Sequence, residues 1–159
     1  MGLDLARHSN PFFAVEYVAH KRENLMPAKA APKKIPEKNP ADFSATFKAL
    51  RAILVPYAKG GMKVVHDTPD YYYLDTNFSV MGRGPLMFAC VRTGKAYVSY
   101  HLLPLYMNPP LQDKVPAELK RRKQGKACFN FSQPDQKLFA DLAELTRLAL
   151  ESFKKLSSD

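Results

Sequence analysis

Few side chains in this sequence have the types and spacing that do chemistry, and each set also has a plain structural reading. His66, Asp67 and Asp70 offer an imidazole and two carboxylates, donors that a metal ion takes. With Thr68 and Pro69 between them, the same residues read as a tight turn whose aspartates hydrogen-bond the backbone, so a turn is expected and no metal site is assigned. His101 is a lone histidine at a strand end, expected to hydrogen-bond the loop that opens at Pro104 rather than to act as acid or base. No GxSxG elbow, phosphate-binding glycine loop, HExxH or dinucleotide fingerprint occurs, so no catalytic residue is named and no cofactor is expected. Tyr71, Tyr72, Tyr73, Tyr97, Tyr100 and Tyr106 are interleaved with Arg92 and Lys95, a combination that can stack bases while cations meet phosphates. Tyrosines also pack well on a pleated sheet, where alternate residues must point inward, and packing is the first expectation. Lys120, Arg121, Arg122, Lys123 and Lys126 form the densest positive cluster, which at a helix C-terminus also suits the helix dipole.

The remaining composition narrows the class. The 159 residues, 46% hydrophobic and 25% charged, are those of one ordinary globular domain. The longest apolar candidate for a membrane span, Ser99 to Leu111, is broken by Pro104, Pro109 and Pro110, so no membrane association is expected. Cys90 and Cys128 lie in strand-like runs without CxxC spacing or a second pair, which suggests neither a disulfide framework nor a zinc site and fits a cytoplasmic protein. The net charge of +9 divides as 7 basic and 4 acidic groups over residues 1–40 and 17 and 11 over residues 41–159. Such an excess attracts anionic partners, although salt screens it within roughly 8 Å.

These residues must be positioned by a domain beginning near Ala41. Residues 1–40 form a basic leader rich in Pro, Ala and Lys, expected to be disordered, because a stretch such as Met26 to Pro40 cannot bury enough apolar surface to offset ordering. Met26 is a candidate true start, since Lys21, Arg22 and Glu23 can be encoded by a purine-rich run of the kind that precedes bacterial start codons. From Asp42 the apolar period becomes helical, with Phe43, Phe47, Leu50, Leu54 and Tyr57 on one face and Gly60-Gly61 at the end. Met62 to His66 and Tyr71 to Thr76 read as a first hairpin. Leu86 to Arg92 and Lys95 to Leu102 read as a second, joined by the two-residue loop Thr93-Gly94. That loop sets Arg92 opposite Lys95, Cys90 opposite Tyr97, Phe88 opposite Ser99 and Leu86 opposite His101 on a mixed face. Met87, Ala89, Val91, Ala96, Val98 and Tyr100 then form the dry face. A short helix from about Pro116 to Lys123, a fifth strand Ala127 to Phe131, and a long helix opening near Ser132, with Leu138, Leu142, Leu145, Ala149 and Phe153 on its apolar face, complete the chain. The order α-β-β-β-β-α-β-α predicts an α+β fold, with a mainly antiparallel sheet of about five strands packed on one face by helices.

Against this pattern, the run from Gly94 to Phe131 and the helix after Asp135 resemble the YdhG-like family of small bacterial domains. The resemblance covers roughly Asp42 to Lys155. It is carried most specifically by Lys95-Ala96-Tyr97-Val98-Ser99, Leu103-Pro104-Leu105-Tyr106, and Gly125-Lys126-Ala127-Cys128 with Phe131. It implies a frataxin-like fold and, for at least one group of the family, intracellular iron chaperoning. Hard iron ions want clustered carboxylates, whereas the first helix offers Lys48, Arg51 and Lys59 with Asp42 as its only acid.

The leading expectation is therefore a non-enzymatic binding module for a small anionic ligand or a protein partner. Its site is expected on the mixed face around Phe88, Arg92, Lys95, Tyr97 and His101, with Arg122 and Lys126 close enough to Lys95 to share an anion. The alternatives are a nucleic-acid-binding domain and a frataxin-like iron chaperone.

Overall fold

The computed structural model describes residues 43–157, all within one compact unit. The expected leader, the Met26 start and Asp42 lie outside the described residues. The first helix, α1 (Ser44–Lys59), buries Thr46, Phe47, Leu50 and Leu54 along the stripe that the sequence spacing sets out. It stops at the paired glycines. Gly61 has φ +100°, a conformation side-chain-bearing residues avoid, and from there Met62 N–H returns to the Tyr57 carbonyl at 3.1 Å.

Four strands follow, β1 (Lys63–Asp67), β2 (Tyr71–Asp75), β3 (Met87–Thr93) and β4 (Val98–Leu102). Two single helical turns, α2 (Pro104–Met107) and α3 (Pro109–Gln112), then occupy the stretch that reads as irregular, and each starts on a proline. A third, α4 (Ala117–Lys120), is shorter than the expected helix from Pro116 to Lys123. It ends where Lys123 and Gln124 pair as a two-residue strand β5 with β6 (Cys128–Phe131). The long helix α5 (Gln136–Lys155) closes the chain, capped by Asp135, whose carboxylate accepts from Leu138 N–H at 3.0 Å, rather than opening at Ser132. The fold is α+β, and its antiparallel sheet has six strands in the order β1-β2-β3-β4-β6-β5. No helix among the described residues is long and apolar enough to cross a membrane.

The core lies on one face of this sheet. Leu74, Ala89, Val91, Val98, Tyr100, Leu102, Phe129 and Phe131 are buried there against Leu50 and Leu54 of α1 and Leu142, Leu145, Ala149 and Phe153 of α5. Removing each of these large side chains from water contributes about 1.5–3 kcal/mol. Tyr100 carries its hydroxyl into this core, where it meets Thr146 Oγ1 at 2.8 Å while that hydroxyl donates to the Leu142 carbonyl.

The β3–β4 hairpin departs from its expected register. Thr93 pairs with Val98 and Arg92 with Ser99, leaving Gly94 to Tyr97 as a four-residue turn closed by Gly94 N–H to the Tyr97 carbonyl at 2.8 Å. Gly94 does not take the positive φ that a two-residue turn requires. The slip equals four residues, an even number, so the paired residues of β3 and β4 from Ala89 onward keep their faces, while Lys95, Ala96 and Tyr97 fall in the exposed turn. Met87 and Phe88 are the exceptions, Met87 pairing with Asp75 on the mixed face and Phe88 turning inward. A β-bulge leaves Phe88 unpaired between Leu74↔Ala89 and Asp75↔Met87 and turns it into the core, fully buried, with its ring 5.4 Å from Tyr57 and 6.2 Å from Phe153.

Candidate functional site

The opposite face of the sheet carries His66, Tyr71, Tyr73, Cys90, Arg92, Ser99, His101, Cys128 and Asn130, none of them buried. Alternation along β2, β3, β4 and β6 puts all but His66 there, His66 is turned to this face by the bulge between Val64 and His66 in β1, and antiparallel pairing aligns them in two rows. One row runs His66, Tyr73, Cys90, His101, Cys128 and Gln124 across the full sheet. The other runs Tyr71, Arg92, Ser99 and Asn130.

Aromatic rings gather at the β1–β2 end of these rows. His66 stacks on Tyr71 at 5.0 Å and meets Tyr73 edge-on at 5.9 Å, while Tyr71 and Tyr73 are 6.0 Å apart, also edge-on. The Arg92 guanidinium lies over the Tyr71 ring at 5.8 Å. Toward β5 the face turns polar. Ser99 Oγ donates to Asn130 Oδ1 at 2.9 Å, and Asn130 Nδ2 donates to Gln124 Oε1 at 2.6 Å.

The centre of the face is uncharged at neutral pH. Burial pushes the Cys90 thiol up to about 12, and it does the same to the Tyr73 phenol, with Asp75 adding to the shift. Burial lowers the His101 imidazole and raises the Cys128 thiol. His101 Nδ1 and Cys128 Sγ are 2.7 Å apart, a hydrogen bond between two groups that burial holds neutral. His101 thus bonds Cys128, not the Pro104 loop. Cys90 and Cys128 flank it on the strands to either side, both free thiols.

Of the residues expected to form a site, the fold brings only some together. Arg92 and His101 share the face. Lys95 and Tyr97 sit in the exposed turn beyond Val98, and Phe88 is a core residue. Lys126 lies past the other end of β4, its ammonium 5.5 Å above the Tyr106 ring. The five residues of β4, about 17 Å of strand, separate it from Lys95. Arg122 lines a cavity of about 270 Å³ with Glu118, Arg121, Asp135, Lys137 and Leu138 at the start of α5. Lys95, Arg122 and Lys126 therefore do not share one anion, a correction that follows from where the strand ends fall.

His66, Asp67 and Asp70 also go separate ways. His66 joins the aromatic cluster, and Thr68 Oγ1 donates to Asp70 Oδ1 at 2.8 Å. Asp67 accepts from both Arg51 Nε and Nη2, at 3.0 and 2.6 Å, holding that guanidinium 4.5 Å over the Tyr72 ring. Among the described residues no group of three or more His, Cys, Asp or Glu can hold a metal ion. The sequence reading did not single out the His66–Tyr71 stack, the Ser99–Asn130–Gln124 chain or the His101–Cys128 bond. Alternation in Tyr71-Tyr72-Tyr73 was the available signal for the first, and the other two depend on pairing between distant strands.

No protein-family model, no curated protein and no solved structure matches the chain.

Proposed function

We propose that the chain is a non-enzymatic cytoplasmic binding module of YdhG type that takes a small anionic ligand on the half-exposed face of the sheet. The observation that carries this reading is the Arg92–Tyr71–His66 stack, which presents a cation and aromatic surface side by side. A planar ligand stacks on one of the Tyr71 and Tyr73 rings, which stand edge-on to each other, while its anion meets the Arg92 guanidinium, whose fork suits phosphate and carboxylate oxygens. The neutral row through Cys90, His101 and Cys128 adds no carboxylate to repel such a ligand.

Calorimetric titration with thymidine monophosphate, thymidine and inorganic phosphate tests this. The monophosphate binds at least about tenfold more tightly than either fragment, because each fragment keeps only one of the two contacts. Arg92→Gln brings the monophosphate to the level of the nucleoside, and Tyr71→Ala brings it to the level of phosphate. Binding that neither substitution alters would place the ligand elsewhere and overturn the reading.

A further inference from the structure

Resting on that reading of the face, we infer that its occupant is a single strand of nucleic acid, with unpaired bases against Tyr71 and Tyr73 and its backbone against Arg92. The face is a stripe with several binding places rather than one concavity. From Tyr71 on β2 to Asn130 on β6 it crosses three strand spacings, about 14 Å. His66, Tyr71 and Tyr73 offer more than one ring, and stacking on a ring is open to any base because every base has a π-face. Beyond them Ser99, Asn130 and Gln124 supply hydroxyl and amide groups that can meet the edges of splayed bases.

Charge favours the same occupant. Arg92 stands within the stripe, Lys95 and Lys126 lie beyond opposite ends of β4, and the chain as a whole carries +9. Asp75, the carboxylate of this face, is confined to the end of β2. A protein partner would be expected to find an apolar centre here, and the centre is instead Cys90, His101, Ser99 and Cys128. A duplex hides its base faces and leaves the tyrosines nothing to stack on.

Fluorescence anisotropy of the whole chain with a labelled short oligothymidylate, a duplex of equal length and thymidine monophosphate as competitor reads this directly. The single strand binds at least about tenfold tighter than the duplex. Tyr71→Ala weakens it by about 5- to 150-fold, the loss of one stacked base. Arg92→Gln, an exposed change that leaves the core intact, lowers the slope of log affinity against log salt by about 0.7, the share of one phosphate contact. Equal binding of duplex and single strand, or full affinity in both variants, overturns the inference. If the monophosphate binds through Tyr71 and Arg92 but the oligonucleotide binds no tighter, the strand inference falls and the small-ligand reading stands. If neither binds, both fall.

Discussion

His101 and Cys128 form a pair whose chemistry follows from their surroundings. A thiol beside an imidazole can pass its proton across and become a thiolate nucleophile, but here burial works against both ions, raising the thiol and lowering the imidazole. The pair therefore stays neutral and serves to tie β4 to β6. The sign of its pH dependence is fixed by the same burial. The unfolded chain takes up the His101 proton near the ordinary value of 6.5, while the folded chain holds out to a lower pH. Stability from this group is complete above about 6.5, falls as pH drops below it, and levels off once the folded value is passed. Urea unfolding at neutral and mildly acid pH, in wild type and His101→Gln, isolates this contribution from that of the carboxylates. The wild type loses more stability on acidification than the variant. Equal losses would mean that the imidazole is as easily protonated in the fold as outside it.

Among the elements, β2 shows how much of this architecture was legible in sequence. Tyr71-Tyr72-Tyr73 looks uniform, yet period-two geometry forces Tyr72 into the core and its neighbours onto the other face. The helical stripes of α1 and α5 and the parity of β3 and β4 were legible for the same reason, since each is a local repeat of apolar residues. Hidden were features that depend on backbone dihedrals or distant pairing. The Gly94 turn took a different form, the bulge turned Phe88 inward against Tyr57 and Phe153, and β5 exists only because Lys123 and Gln124 meet β6. For the candidate site, Arg92 and His101 were readable from alternation, whereas Lys95, Arg122 and Lys126 were scattered by where strands end. Paired substitutions test the parity of β2. Tyr72→Ala, which empties a core position under the Arg51–Asp67 pair, costs about 3–5 kcal/mol. Tyr73→Ala removes a half-exposed ring and costs about 1 kcal/mol or less. Denaturant midpoints distinguish them, and similar losses at both positions would contradict the assignment of faces.

At the scale of the whole molecule, stability is distributed from the middle of the sheet outward. Strands β3 and β4 have a partner on each side, and their inward residues Ala89, Val91, Val98, Tyr100 and Leu102 are fully buried under α1 and α5. At the margin, β1 pairs among the described residues only with β2, has all five residues exposed, and is interrupted by a bulge at Val65. Its anchor to the helices is the bidentate Arg51–Asp67 pair, half-exposed and worth on the order of 0.2–1 kcal/mol. Local opening of β1 thus disrupts little buried surface, whereas exposing the amides of β3 or β4 requires the core to come apart. Native-state hydrogen exchange should find hydrogen-bonded amides of Lys63–Asp67 opening at free energies well below the global value, and those of β3 and β4 opening only with global unfolding. Arg51→Ala sharpens the test, because it removes the anchor without touching the pairing of the central strands. In that variant exchange from β1 accelerates by more than any acceleration at β3 and β4. A uniform acceleration across the sheet would show instead that β1 opens as part of one cooperative unit, with the ion pair contributing to the stability of the whole domain.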